Sequence, residues 1–302
     1  MKREVKFRNN QIEISAELYL PPGLDKARSY PAVVCTHPAG AVKEQSPALY
    51  AGMLAEHGFV VLTFDASHQG ASGGEPRFLE DPFARVEDIR CAVDYLTTLR
   101  FVDAGRIGAF GICAGAGYSI SAATTDRRIK AVAGVSATDA GSAIREGWDG
   151  RLPVSEQLKM LEAVSAQRTA EAKGAAVQYM PYVPETVDEK TSVTMRQAHD
   201  YYRTPRAQHP NSPNKVMGTS LDKLLTYSAT DRIDTLLTQP LLLVVGGESD
   251  ARRFVTAFHQ KAASHDKELV VIEGATHVDL YDVPQYVQLA VAKLATFFSS
   301  KL

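Results

Sequence analysis

Ile107-Gly108-Ala109-Phe110-Gly111-Ile112-Cys113-Ala114-Gly115-Ala116-Gly117-Tyr118-Ser119-Ile120 is the stretch on which the reading of this chain turns. An apolar run, Ile107 to Phe110, is followed by Gly-x-Cys-x-Gly and then by small residues, Ala114 to Ala123, that can wind into a helix. Strand, Gly-x-nucleophile-x-Gly, helix is the layout of a nucleophile elbow, in which a sharp turn holds the central side chain above the edge of a sheet. Glycines are required on both sides because a Cβ in so tight a turn would collide with the neighbouring strand or helix. The centre here is cysteine, so Cys113 is the candidate nucleophile.

Around the elbow the hydrophobic rhythm is that of alternating strands and helices. The first 22 residues alternate (Val5, Phe7, then Ile12, Ile14, Ala16, Leu18, Leu20) about Asn9-Asn10, which predicts a β-hairpin. Buried-type strands are expected at Ala32 to Thr36, Phe59 to Phe64, Ile129 to Val135, Leu241 to Val245 and Leu269 to Ile272. Helices are expected at Leu49 to His57, Asp81 to Leu99 and Ala251 to Ala263, with a closing helix that aligns Val287, Val291, Leu294 and Phe298. Strands alternating with helices imply βαβ units and a mainly parallel sheet. From Ala140 to Ile233 the rhythm breaks into a helical stretch, Val154 to Ala172, and then Pro- and Tyr-rich sequence. One α/β core, 1–139 with 234–302, interrupted by an inserted lid at 140–233, fits better than two domains, since neither half has enough strands to cover itself.

Composition removes several function classes. The chain has 302 residues, 45% of them hydrophobic, and a net charge of −2, so no basic patch invites nucleic acid. Its apolar runs are far shorter than the about 18–20 residues that span a bilayer. No signal peptide follows Met1, and the three scattered cysteines make no disulfide framework, so a reduced, cytoplasmic setting is expected. No His-Glu-x-x-His, paired Cys-x-x-Cys or Asp-rich calcium loop is present, and no metal is expected. The expected partner is a small-molecule substrate, with no nucleic acid and no membrane, and a homodimer is allowed.

A thiol needs a base, and the base needs a partner to fix its tautomer. After an elbow the chain order is nucleophile, acid, histidine. Gly247-Glu248-Ser249-Asp250 follows one late strand and Gly274-Ala275-Thr276-His277 follows the last, at the carboxyl ends where parallel sheets build their sites. The expected base is His277 and the expected acid Asp250, with Glu248 its competitor and Asp139 a more distant one. Cys35 and Cys91 read as core residues. An acyl oxyanion needs two backbone donors: Ala114 supplies one, and Ala39, or Gly40 next to it, the other, since Pro38 has no N–H. His37, Tyr201 and Tyr202 are the expected substrate-facing residues.

These residues resemble a known family over essentially the whole chain, the α/β-hydrolases, and within them dienelactone-hydrolase-like and Xaa-Pro-peptidase-like bacterial hydrolases. The resemblance is carried by His37-Pro38-Ala39-Gly40 with Val42-Lys43-Glu44-Gln45, and by Asp65-Ala66-Ser67-His68-Gln69-Gly70 with Ser72-Gly73-Gly74. It continues through Leu79-Glu80-Asp81-Pro82 with Arg85-Val86-Glu87-Asp88-Ile89-Arg90, the elbow, and Tyr201-Tyr202-Arg203-Thr204-Pro205-Arg206. It implies an eight-stranded sheet flanked by helices with a late inserted lid, a triad of Cys113, Asp250 and His277, and no cofactor. Dienelactone hydrolases also pair the thiol with a glutamate near the third strand, which Cys35-Thr36-His37-Pro38 does not offer. Peptidases of this fold generally use serine. Cysteine also occurs in thioesterase and acyltransferase relatives. The expected activity is hydrolysis of an ester, thioester or lactone. Acyl transfer or a lyase reaction through the same triad, or a non-catalytic binder on this fold, are the alternatives.

Overall fold

Asn10, with φ of 51°, turns the chain between β1 (Lys2–Asn9) and β2 (Ile12–Tyr19), which pair antiparallel with Asn9 opposite Ile12. The structure is a computed structural model and describes all residues, 1–302. After the hairpin come β3 (Tyr30–Thr36), α1 (Ser46–Glu56), β4 (Val60–Phe64), α2 (Pro82–Thr97), β5 (Val102–Ile112), α3 (Ala114–Thr125) and β6 (Ile129–Val135). The chain then leaves the sheet for α4 (Ala140–Glu146), α5 (Val154–Ala172), β7 (Tyr179–Met180), α6 (Val193–Arg203), β8 (Val216–Met217), α7 (Leu221–Thr226) and α8 (Ile233–Leu236). It returns through β9 (Leu241–Gly246), α9 (Arg252–Lys261), β10 (Lys267–Ile272), α10 (Asp279–Asp282) and α11 (Pro284–Lys301).

Eight strands form one sheet in the order β1-β2-β4-β3-β5-β6-β9-β10, antiparallel at the first two pairings and parallel from β4 onward. The expected mainly parallel, eight-stranded α/β sheet is what forms. Where the inner strands cross the middle of the sheet they are mostly apolar because both faces are covered there. On one face Val34, Leu62, Ala109, Val132 and Leu243 pack with Ile89 of α2, Ile120 of α3 and Phe258 of α9. On the other, Val33, Cys35, Val61, Phe110 and Val244 pack with Leu54 of α1 and Leu294 and Phe298 of α11. Alternate residues of one strand thus feed two separate cores.

Local chemistry sets the helix ends near the site. Asp81 caps α2, its carboxylate accepting from the Phe83 and Ala84 N–H groups, with Pro82 at the first helical position. Helix α6 was not legible in the Pro- and Tyr-rich stretch, because its prolines flank the helix and do not interrupt it. Ser192 caps it by accepting from Met195 N–H, and Thr194, Ala198, Tyr201 and Tyr202 form its buried face. The neighbouring α5 is different: of its 19 residues only Val164 is buried. No helix is long and apolar enough to cross a membrane.

The turn from β5 into α3 depends on close backbone approach. A Cβ on Gly115 would overlap the Thr36 carbonyl at the end of β3, and one on Gly111 would overlap the Gly115 backbone. Gly115→Ala should therefore lower stability by about 1–3 kcal/mol through overpacking against immovable backbone. Gly52 lies in α1 with open space where its Cβ would be. Gly52→Ala should raise stability by about 0.5–1 kcal/mol through helix propensity. Thermal melts of the two variants check the opposite signs.

Candidate active site

Cys113 occupies the N-cap of α3 with φ of 55° and ψ of −124°. For a residue with a side chain this is a sparsely populated conformation, of the kind that costs about 1–3 kcal/mol and persists only where surroundings enforce it. Enforcement comes from both directions: Cys113 N–H donates to Val135 O at 3.0 Å, and its carbonyl accepts from Ala116 and Thr138 N–H groups. The thiol projects over the carboxyl end of the sheet, half-buried, with Thr138 Oγ1 at 3.7 Å. Burial pushes its pKa up, but the nearby His277, with Tyr281 and Thr138, outweighs burial and leaves it below the ordinary thiol value. The other two thiols behave oppositely. Burial drives Cys35 well above the ordinary value and Cys91 up to about 11. Both are the core residues expected.

His277 follows β10 and is 2% exposed. Ser136 Oγ donates to its carbonyl at 3.1 Å, and its ring lies edge-on to Trp148 and Tyr281, with centroids 5.4 and 5.6 Å away. Nε2 is 3.1 Å from the Tyr281 hydroxyl. Nδ1 is buried without a hydrogen-bond partner, although a triad acid would bond there. Asp250 follows β9 as expected but accepts from Thr194 Oγ1, in the first turn of α6, at 2.6 Å. Glu248 is exposed. Asp139 is fully engaged elsewhere, accepting from Ser142 N–H, Ser228 Oγ and Ala229 N–H. The structure thus brings Cys113 and His277 together and holds Asp250 on α6.

The loop after β3 passes beside the elbow. Ala39 N–H and Ala114 N–H both lack an acceptor within the protein, the second because the first N–H groups of a helix have none. His37 is a correction to the expected substrate-facing set. It is fully buried, and both ring nitrogens are taken. Nδ1 donates to Pro38 O at 2.7 Å, while Nε2 accepts from Ala66 N–H at 3.1 Å and from Arg85 at 2.8 Å. Burial, reinforced by Arg85, holds its pKa well below the ordinary value and keeps it neutral. A position in a loop near the site did not imply a side chain directed at it.

Tyr201 is corrected in the same way. It is 1% exposed, its hydroxyl accepts from Ser46 N–H at 2.9 Å, and it packs edge-on against Tyr202 and Tyr281. Tyr202 does reach the site, with a buried hydroxyl that has no partner. With Ala39, Gly40, Tyr182, Ser212 and Asn214 it lines a cavity of about 10 Å³, room for a single water. Tyr281 was not picked out by sequence reasoning. Its one signal there was its place four residues after His277, the spacing that puts side chains on one helical face.

Comparison with known proteins places this geometry. Residues 10–279 match the family described as X-Pro dipeptidyl-peptidase (S15 family). The Escherichia coli K12 protein YcjY is 45% identical over the full length of both chains. The crystal structure of PA2218 from Pseudomonas aeruginosa superposes with a TM-score of 0.94 at 34% identity, covering 100% of this chain and 94% of that one. The thiohydrolase aneE of Aspergillus aculeatus is 26% identical over 73% of this chain and 70% of its own. The fold is shared with solved α/β-hydrolases, and the chain belongs to the X-Pro dipeptidyl-peptidase (S15) family of α/β-hydrolase enzymes.

Proposed function

We propose that this hydrolase cleaves ester, thioester or lactone bonds through an acyl-enzyme on Cys113. The observation that carries the reading is the elbow: of the three cysteines only Cys113 sits at a strained strand-to-helix turn, φ 55°, at the N-cap of α3. Against burial, His277 lowers its pKa, whereas burial raises those of Cys35 and Cys91. Cys113 gives its proton to His277 Nε2, and the thiolate attacks the acyl carbon. The oxyanion is received by Ala39 and Ala114 N–H groups, and His277 returns the proton to the leaving oxygen or sulfur. Water, deprotonated by His277, then attacks the acyl-enzyme and releases the acid. The thiohydrolase relative supports the thioester branch. Asp250 is assigned as the acid that turns from Thr194 to His277 Nδ1 and holds the imidazolium during turnover. Residues 140–233 are assigned as a lid, and Tyr202 is its contact with substrate, supported by the unpartnered hydroxyl beside Ala39.

Limiting iodoacetamide should label Cys113 before Cys35 or Cys91, because the thiolate is the reactive form. Peptide mapping by mass spectrometry reads the order, and labelling of another cysteine with hydrolysis intact in Cys113→Ala would remove the nucleophile. Asp250→Asn should lower kcat by about 10³–10⁴-fold, the cost of a lost triad acid, with Glu248→Gln close to wild type. The opposite ranking in steady-state kinetics would exchange their roles. Tyr202→Phe should alter the ranking of substrates with little change in Tm. Tyr201→Phe, which leaves the Ser46 N–H without its acceptor, should lower stability by about 1–3 kcal/mol and leave that ranking unchanged. Melting curves and an ester–thioester–lactone panel on the same two proteins distinguish the residues.

A further inference from the structure

The Tyr281 hydroxyl lies where the proposed chemistry begins. The side chain is 3% exposed, and its hydrogen bond to His277 Nε2 occupies the nitrogen that must take the thiol proton. Burial, reinforced by the Cys113 sulfur, raises its pKa and keeps the phenol protonated. The phenol is fixed by the helix that carries it: Tyr50 donates from its hydroxyl to Leu280 O at 2.6 Å, and Arg206 clamps Asp282 with two bonds of 2.8 and 2.6 Å. Both neighbours of Tyr281 in α10 are therefore tied to other elements. A phenol can donate to either a ring nitrogen or a thiolate without losing its own proton.

We propose that Tyr281 is a positioning residue for the Cys113–His277 pair, its hydroxyl donating to His277 Nε2 while the thiol is protonated and to the Cys113 sulfur once the proton has moved. In that step the S–H bond breaks and an Nε2–H bond forms. The sulfur becomes negative, the imidazole positive, and the phenol stays neutral. The inference rests on the reading of Cys113 as nucleophile. It accounts for a thiol held below its ordinary pKa in a structure where no carboxylate reaches His277 Nδ1.

Other groups face this point from each packed element. Thr138 follows β6 and approaches the sulfur. From α6, Tyr201 packs on Tyr281 but commits its hydroxyl to Ser46, while the Tyr202 hydroxyl is buried without a partner, its pKa raised by burial and by Tyr201 and Cys113 and lowered by Arg85. The Arg206–Asp282 pair flanks α10. Tyr281 differs from all of these in bonding Nε2 directly.

The test is the pH dependence of Cys113 carboxymethylation by iodoacetamide, followed by mass spectrometry in the full-length protein. In Tyr281→Phe the midpoint should rise by about one pH unit and the rate below it should fall about tenfold, the size of one lost charge-assisted bond. Tyr201→Phe, which touches Tyr281 but commits its hydroxyl to Ser46, should keep the wild-type midpoint. A wild-type midpoint in folded Tyr281→Phe overturns the proposal, as does an equal shift in Tyr201→Phe. Should Tyr281→Phe fail to fold by circular dichroism, 3-fluorotyrosine installed at position 281 alone replaces it. The more acidic phenol should lower the midpoint, and no movement overturns the proposal. If wild-type Cys113 labels no faster than Cys35 or Cys91, it is the nucleophile assignment that fails.

Discussion

A guanidinium buried beneath the loop after β3 organises the ground on which the site stands. Arg85 is 2% exposed, yet it donates to the His37 carbonyl at 2.8 Å and to the His37 ring, and it stacks on Tyr118 at 4.9 Å. Burial works against its charge, but the Glu80 carboxylate, 3.6 Å away, outweighs burial and raises its pKa, so it stays charged. Burying an ion costs several kcal/mol unless its partners replace water, and removing one partner leaves the other stranded at about 3–5 kcal/mol. That asymmetry is what makes the cluster rigid. Because Arg85 is fixed, the backbone of Thr36 and His37 is fixed, and Gly115 can approach it closely enough for the elbow to close.

The same cluster reaches the roof of the site. Glu80 accepts from Tyr118 at 2.8 Å and from Tyr182 at 3.1 Å, and the Tyr182 ring lies directly over Gly40. This is a glutamate near the site, but its lone pairs serve phenols and a guanidinium and not the thiol, consistent with the missing thiol-paired glutamate noted in the sequence. The cavity left beside Ala39 is too small for any acyl group. Of the residues lining it, Tyr182 is tied to Glu80 and Asn214 to the Val183 backbone, whereas the Tyr202 hydroxyl has no partner. Helix α6 buries Thr194, Ala198, Tyr201 and Tyr202 while the longer α5 buries only Val164, so these two helices of the insertion are tied to the core to very different degrees.

What the sequence disclosed follows from how local each constraint is. The elbow glycines, the hairpin at Asn9-Asn10 and the alternating apolar runs express backbone and burial requirements confined to a few neighbouring residues, and they were legible. Side-chain direction in loops is not local. His37 and Tyr201 sit at the right places in the chain, but each is turned inward by a partner far away in sequence, Arg85 for one and Ser46 for the other. Tyr281 was missed for the complementary reason: its importance comes from a hydrogen bond to His277, and no periodicity announces it. Cys113 and His277 lie after the strands the sequence placed them on, because the sheet fixes those strand ends.

On the proposed reading, cysteine in place of serine as nucleophile fits the unpartnered Nδ1 of His277. A serine hydroxyl is never ionised at neutral pH, so its base must be driven by an acid at the moment of attack. A thiol is closer to ionisation, and a few favourable contacts at a helix N-terminus suffice to make the thiolate. Here burial raises the Cys113 pKa but His277, Tyr281 and Thr138 outweigh it and lower it, while Asp250 accepts from Thr194. On the proposed reading, forming the nucleophile and stabilising the imidazolium through Nδ1 are separable tasks. The first would rest on the end of the sheet that carries Cys113, and the second on Asp250, which accepts from the Thr194 hydroxyl in the first turn of α6.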